Sequence, residues 1–208
     1  MKPLANRPGL LGNLSMRKTP TAILISGRGS NMVSLVKASR HRDYPADISL
    51  VISNNPDAPG LAKARELGVM AMSINYKNFK NRLSFDMALD SVLQAAQIEM
   101  VCCAGFMRIL TPEFTSRWQG KLLNIHPSLL PKYKGLNTHQ KALDAGDKEH
   151  GCTVHYVTPE LDSGEIILQH KIKILNTDTA DSLASRLLPL EQKLYPIALK
   201  KALAEVSG

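Results

Sequence analysis

The sequence predicts an α/β fold: one doubly wound, mostly parallel sheet with helices on both faces and an antiparallel portion near its C-terminal end. Three observations point there. Short apolar runs alternate with segments of helical period from residue 21 to residue 126, the pattern of repeated βαβ units. The first run ends in a glycine-rich turn, Gly27-Arg28-Gly29-Ser30-Asn31, that opens onto a helical pattern. After residue 150 the alternation stops, and two strand-like runs follow one another.

T-A-I-L-I-S (21–26) reads as the first strand, and Met32, Leu35 and Val36 behind the glycine turn fall at helical spacing. I-S-L-V-I-S (48–53) is the second strand. Leu61, Ala64 and Leu67 then share one helical face, closed by Gly68 as a C-terminal cap. V-M-A-M-S-I (69–74) is the third strand, and Phe85, Ala88, Leu89, Val92 and Ala96 follow at helical spacing. E-M-V-C-C-A (99–104) is the fourth. Thr111-Pro112-Glu113 is a strong helix start: a capping hydroxyl, proline at the first helical position, and an acid near the positive end of the dipole. K-L-L-N-I-H (121–126) is the fifth strand, stopped by Pro127. C-T-V-H-Y-V-T (152–158) and E-I-I-L-Q-H-K-I-K-I (165–174) pair as antiparallel strands. A helix from about Thr179 to Val206 closes the chain, kinked or broken near Pro189 and Pro196.

The domain division follows from composition. Residues 1–19 are rich in Pro, Gly, Asn and basic side chains and are expected to form a flexible basic tail, with Met16 as an alternative initiator. Residues 20–208 read as one domain. The 208 residues are 44% hydrophobic and 21% charged, which suits a globular chain and excludes wholesale disorder. No apolar stretch approaches the roughly 20 residues that a spanning helix needs, so no membrane role is expected. Cys102, Cys103 and Cys152 lack the paired spacing of a zinc site. Cys102 and Cys103, in an apolar strand, are expected to be inert buried thiols; a reducing cytoplasm is the expected setting, and no metal is implied.

The net charge of +8 is unevenly distributed. The first acidic residue is Asp43, and eight basic side chains precede it, so residues 43–208 carry 18 of each sign. A nucleic-acid binder spreads basic residues over a large face with aromatics between them. Here aromatics are 5%, so nucleic acid is not expected, and a small anionic ligand near the N-terminal part fits better.

Three segments carry chemistry. In Gly27–Asn31, the glycines permit a tight turn that bares backbone N–H groups, and the following helix N-terminus favours an anion. The segment matches neither G-x-G-x-x-G nor a Walker loop, so an ordinary turn stays open, but its place after the first strand favours a binding role. In N-I-H-P-S-L-L-P (124–131), Asn124 and His126 are two apart in a strand and share a face. The amide can polarise a carbonyl while the imidazole moves a proton; a merely hydrogen-bonded strand end is the alternative. In V-T-P-E-L-D-S-G (157–164), Asp162 lies in a turn where a carboxylate ordinarily bonds the local backbone. As a partner of His126 it would raise the imidazole pKa and fix its orientation. His41, His139, His150, His155 and His170 show no metal-ligand grouping, and His155 and Tyr156 read as structural.

The segments I-L-I-S-G-R-G-S-N, C-A-G-F-M-R-I-L, L-L-N-I-H-P-S-L-L-P-K-Y, G-D-K-E-H-G-C-T-V-H-Y-V and E-L-D-S-G, in that order over residues 21–200, resemble the phosphoribosylglycinamide formyltransferases. The resemblance implies the formyltransferase fold, with a Rossmann-like N-terminal half. It implies transfer of a formyl group from 10-formyltetrahydrofolate to the amine of 5-phosphoribosylglycinamide in purine biosynthesis, without a metal or a covalent enzyme intermediate. Asn124, His126 and Asp162 would then be the catalytic set, with Asn124 and protonated His126 stabilising the formyl oxygen. Gly29, Ser30 and Asn31 would hold the ribonucleotide phosphate, and Glu191 the glycinamide end. Met107, Arg108, Ile109 and Leu110 would line the folate site, with Arg82 beside it. Arg28 stands where a small or amide residue is expected, and Asn137 where a histidine is expected. The related methionyl-tRNA formyltransferases and formyltetrahydrofolate hydrolases share the catalytic set but carry an extra C-terminal or N-terminal domain, which this chain is not expected to have. A cytoplasmic monomer or weak homodimer acting on small molecules is the resulting expectation.

Overall fold

The structure, a computed structural model, describes residues 17–206. Seven strands form one sheet: β1 (Thr19–Ile25), β2 (Ala46–Ser53), β3 (Met70–Ser73), β4 (Met100–Cys103), β5 (Leu122–His126), β6 (Glu149–Tyr156) and β7 (Ile166–Lys173). Their order is β3-β2-β1-β4-β5-β6-β7. The first five are parallel; β6 runs antiparallel to β5, and β7 antiparallel to β6. Every predicted strand is present within three residues of its expected ends. β1 begins at Thr19, the last residue of the stretch read as a tail. Just before it, Lys18 donates to the carbonyls of Ser39 (2.7 Å) and His41 (2.8 Å), and Arg17 pairs with Glu99. Residues 1–16, where the rest of that reading falls, lie outside the described residues.

Alternation along β1 divides the core. Ile23 and Ile25 face one way, against Met32, Leu35 and Val36 of α1 (Ser30–Ser39) and the apolar face of α6 (Ala180–Val206). Ala22 and Leu24 face the other way, against Phe85, Leu89 and Leu93 of α3 (Arg82–Ala95) and Phe114 and Trp118 at α4 (Pro112–Arg117). α2 (Pro59–Glu66) joins the first layer through Ala64. Thr111 caps α4 as expected, accepting the N–H of Phe114, and Trp118 Nε1–H donates to Asp90 of α3 at 3.0 Å.

Two features depart from the sequence reading. α6 is not broken: it runs 27 residues with Pro189 and Pro196 inside it. Leu183, Leu187, Leu194, Tyr195, Ala198, Leu199, Ala202 and Leu203 are all buried at helical spacing, and this packing outweighs the hydrogen bonds that the prolines cannot donate. The Tyr195 hydroxyl also reaches the carbonyls of Cys103 (3.0 Å) and Leu123 (3.2 Å), pinning the helix to β4 and β5. The second departure is α5 (Thr138–Asp144), together with a one-turn 3-10 helix at Tyr76–Asn78. α5 buries only Thr138 and Ala142, so no apolar stripe announces it.

Candidate active site

The sheet itself selects where a ligand sits. β1 lies between β2 and β4, so the connections on its two sides run in opposite directions and leave a crevice at the C-terminal ends of β1 and β4. The two loops that leave these ends are stitched together. Ser26 N–H donates to Gly105 O (3.1 Å), Met107 N–H to Ser26 Oγ (2.7 Å), and Ser26 Oγ–H to Asn54 Oδ1 (2.5 Å).

On the β1 side, Gly29 is the N-cap of α1 at φ 68°, a left-handed conformation that a side chain resists. A Cβ there would also lie 3.1 Å from the Gly60 Cα, so backbone packs against backbone beneath the loop. No side chain caps α1, which leaves its first N–H groups pointing outward with Ser30 beside them. Asn31 is buried; its Nδ2–H donates to Glu191 Oε2 of α6 at 2.8 Å, and its Oδ1 has no partner. Burial pushes the Glu191 carboxyl upward in pKa, opposed by that hydrogen bond. Asn31 and Glu191, 160 positions apart, thus meet at this site. The Arg28 side chain is exposed, while its carbonyl accepts from Lys63 Nζ at 3.1 Å.

On the β4 side, Met107 and Ile109 are exposed at 65% and 57%, large apolar side chains presented to solvent at the lip of the crevice. Leu110 is buried. The Arg108 guanidinium lies over the Tyr76 ring, 4.3 Å from its centroid. Arg82 is exposed at the start of α3. Burial raises the pKa of Asp86, one turn further along, against a 2.6 Å bond from Thr111 N–H and the charges of Arg82 and Arg108.

The catalytic candidates converge at the end of β5. Antiparallel pairing sets His155 opposite Asn124 and Thr153 opposite His126, and directly opposed residues share a face. Asp162, at φ 46°, turns its carboxylate between two histidines: Oδ2 lies 3.4 Å from His126 Nδ1, and Oδ1 lies 3.6 Å from His155 Nε2. Gly135 N–H donates to Oδ2 at 2.8 Å. Gly164 makes the turn possible, because a Cβ there would stand 1.8 Å from the Tyr156 carbonyl oxygen. His155 Nδ1–H donates to Tyr156 O (2.8 Å), leaving Nε2 toward Asn124 Nδ2 at 3.4 Å. His155, read as structural from sequence, is therefore a member of this cluster. Only the strand register could have revealed it, since an alternating His-Tyr pair carries no signal of its own.

His126 Nε2–H donates to the carbonyl of Tyr133 at 2.9 Å, so Nδ1 is the nitrogen that faces Asp162. Burial lowers the His126 pKa, and this outweighs the Tyr133 carbonyl and the Asp162 charge, which raise it. Asp162 pulls the pKa upward as expected, but burial outweighs it and the net shift is downward, a correction to the expectation that His126 is held protonated. Burial raises the Asp162 carboxyl, but His155, Gly135 N–H and the charge on His126 together hold it below the usual range. A carboxylate and a neutral imidazole in contact can pass a proton through Nδ1 and stabilise the imidazolium formed.

The three thiols are buried and far from reactive. Burial pushes the Cys102 and Cys152 thiols up to about 12 and raises Cys103 as well. Among the described residues no group of His, Cys, Asp and Glu has the geometry of a metal site, and no helix is long and apolar enough to cross a membrane.

Residues 20–199 match the formyl transferase family. Over 179 residues the chain is 46% identical to phosphoribosylglycinamide formyltransferase of Haemophilus influenzae, covering 86% of this chain and 84% of the relative. It is also 46% identical to the trifunctional purine biosynthetic protein adenosine-3 of Homo sapiens, covering 88% of this chain but 18% of that much longer protein. The crystal structure of phosphoribosylglycinamide formyltransferase from Brucella melitensis superposes with a TM-score of 0.85 at 43% identity, covering 89% of this chain and 95% of that one.

Proposed function

The chain belongs to the formyl transferase family, and from that membership and the geometry around His126 we propose that it moves a formyl group from 10-formyltetrahydrofolate to the amine of 5-phosphoribosylglycinamide. The observation that carries the reading is the contact of Asn124, His126, His155 and Asp162 at the end of β5. The amine nitrogen attacks the formyl carbon, and the C=O electron pair moves onto oxygen. Asn124 donates to that oxygen as it becomes negative. His126 Nδ1 takes the proton released by the attacking nitrogen, and Asp162 stabilises the imidazolium. The bond from carbon to the folate nitrogen then breaks, and that nitrogen receives the proton from Nδ1. One proton is relayed and none is lost.

The bared N–H groups of α1 at Gly29 and Ser30, with Asn31 behind them, suit the ribonucleotide phosphate. Glu191, tied to Asn31, suits the glycinamide end. Met107, Arg108, Ile109 and Leu110, with Arg82 nearby, suit the folate, whose flat ring would cover the exposed apolar side chains. Residues 20–208 act as the catalytic domain, in the cytoplasm, as a monomer or weak homodimer.

Following 10-formyltetrahydrofolate with and without the ribonucleotide tests the reading. Turnover that depends on the ribonucleotide is expected; equal consumption in its absence would mean a hydrolase. Losing one hydrogen bond to the phosphate in Ser30→Ala should cost about 1.5–3 kcal/mol, expressed in the ribonucleotide KM. A rise in the folate KM instead would move the loop's role to the other substrate.

A further inference from the structure

His126 is held by a carbonyl that itself sits in an unfavourable conformation. Tyr133 has φ 56°, in the left-handed region that a bulky side chain avoids. Something must hold the loop there, and the structure shows what does. The Tyr133 hydroxyl donates to Asp147 Oδ2 at 2.8 Å, and Lys132 Nζ donates to both carboxylate oxygens at 3.0 Å. On the inner side, the Ser128 hydroxyl donates to Lys132 O at 2.6 Å. Asp147 is fixed in turn by its own N–H, which donates to Ala142 O of α5 at 3.1 Å. Two adjacent side chains of the loop are thus clamped by one carboxylate, which bonds to none of Asn124, His126, His155 and Asp162. A cavity of about 550 Å³, lined by Lys132, Tyr133, Asp147, His150 and Gln169 among others, borders this clamp.

We propose that Asp147 is a positioning residue for His126: by clamping Tyr133 and Lys132 it seats the Tyr133 carbonyl against Nε2 and thereby selects which ring nitrogen moves the proton. The argument rests on competition between two acceptors. A neutral imidazole has one N–H. The Tyr133 carbonyl, at 2.9 Å, draws it to Nε2; the Asp162 carboxylate, at 3.4 Å from Nδ1, draws it to the other nitrogen. While the carbonyl is seated, Nδ1 keeps its lone pair and can accept a proton. If the clamp opens, Tyr133 relaxes out of its left-handed conformation, the carbonyl withdraws, and the proton passes to Nδ1. The base is then blocked at the one atom that faces the site. The kinetic consequence rests on the formyl-transfer reading; the tautomer belongs to the free protein.

The test uses the full chain with Tyr133→Phe, which removes only the hydroxyl, and Asp147→Asn, which keeps the shape. Heteronuclear NMR of the histidine rings, above the His126 titration, reads the tautomer directly. The wild type should show Nε2–H, and both variants should populate Nδ1–H. In the variants kcat should fall by about tenfold to a hundredfold, as for a misplaced catalytic group, with the ribonucleotide KM nearly unchanged. Asp147→Asn should lower kcat no further once His126 is alanine. Folded variants that keep Nε2–H and wild-type kcat, losing only thermal stability, would overturn the proposal, as would a wild type that already holds Nδ1–H. Should Asp147→Asn fail to fold, the isosteric Tyr133→Phe carries the test. A tautomer that moves as stated in a protein with no ribonucleotide-dependent turnover would uphold the clamp and overturn the formyl-transfer reading alone.

Discussion

Two pairs of histidines lie near the end of β5, and they differ in what stands between them. His126 and His155 flank Asp162, at 3.4 and 3.6 Å. His139 and His150 face each other directly, with His150 Nε2 3.0 Å from His139 Nδ1 and ring centroids 5.0 Å apart. Burial and the charge of His139 push the His150 pKa down to about 4. His139 is lowered as well, by burial and then by His126. Burial lowers the pKa of His126, His139 and His150 alike, but only His126 among them has a carboxylate in contact to oppose it. The lesson is that burial beside a second imidazole lowers a histidine's pKa with no contact to oppose it. Burial beside a carboxylate keeps a contact that favours the protonated ring.

The sharpest way to break this comparison is to delete one ring from each pair. His126→Ala should lower kcat by about 10²–10⁴, the range for a lost acid–base group. His139→Ala should leave kcat within a few-fold, because that ring is in contact with His150 rather than with Asn124, His126 or Asp162. Steady-state rates with both substrates saturating decide it, and comparable losses from the two variants would erase the distinction.

The His150 pair is better probed by stability. The folded protein holds His150 below its unfolded value of about 6.5, so the unfolded chain binds more protons between pH 6.5 and pH 4. Stability should therefore be full above pH 6.5 and fall as pH drops, by roughly 3 kcal/mol for this residue once pH 4 is reached. Thermal melts of wild type and His150→Gln across that range should show a shallower decline in the variant. Parallel declines would mean that His150 is not held neutral.

The smallest expected change sharpens the first pair. Asp162→Asn removes the charge that raises the His126 pKa while leaving the burial that lowers it. The titration midpoint of His126, followed by NMR, should fall. A midpoint that does not move would leave Asp162 with no electrostatic role toward His126.

Much of this was legible in the residues. The period-2 and period-3.6 patterns located all seven strands and four of the six helices, because each element buries one face in a layered core. Asn124 and His126 were paired by strand alternation alone. The capping signal at Thr111 was local chemistry, and it held. What failed was equally physical. The prolines of α6 argued for a kink or a break, and the break did not occur, because a helix packed along the sheet is stabilised by its buried face rather than by its own hydrogen bonds alone. α5 has too little buried surface to leave a pattern. The sign of the His126 shift depends on how deeply the ring is buried, which no spacing in the chain encodes.

The sequence by itself determined the layered α/β architecture, the glycine loop at the end of the first strand and the residue types able to polarise a carbonyl and move a proton. Periodicity and local turn chemistry act over a few residues, and they can be read where they stand. Only the tertiary structure decided that His155 lies opposite Asn124, that Asp162 stands between two histidines, and that Tyr133, tied to Asp147, presents its carbonyl to Nε2 of His126. These are contacts between residues 7 to 36 positions apart in the chain, and their energies depend on burial, register and competing acceptors, which exist only once the chain has closed on itself.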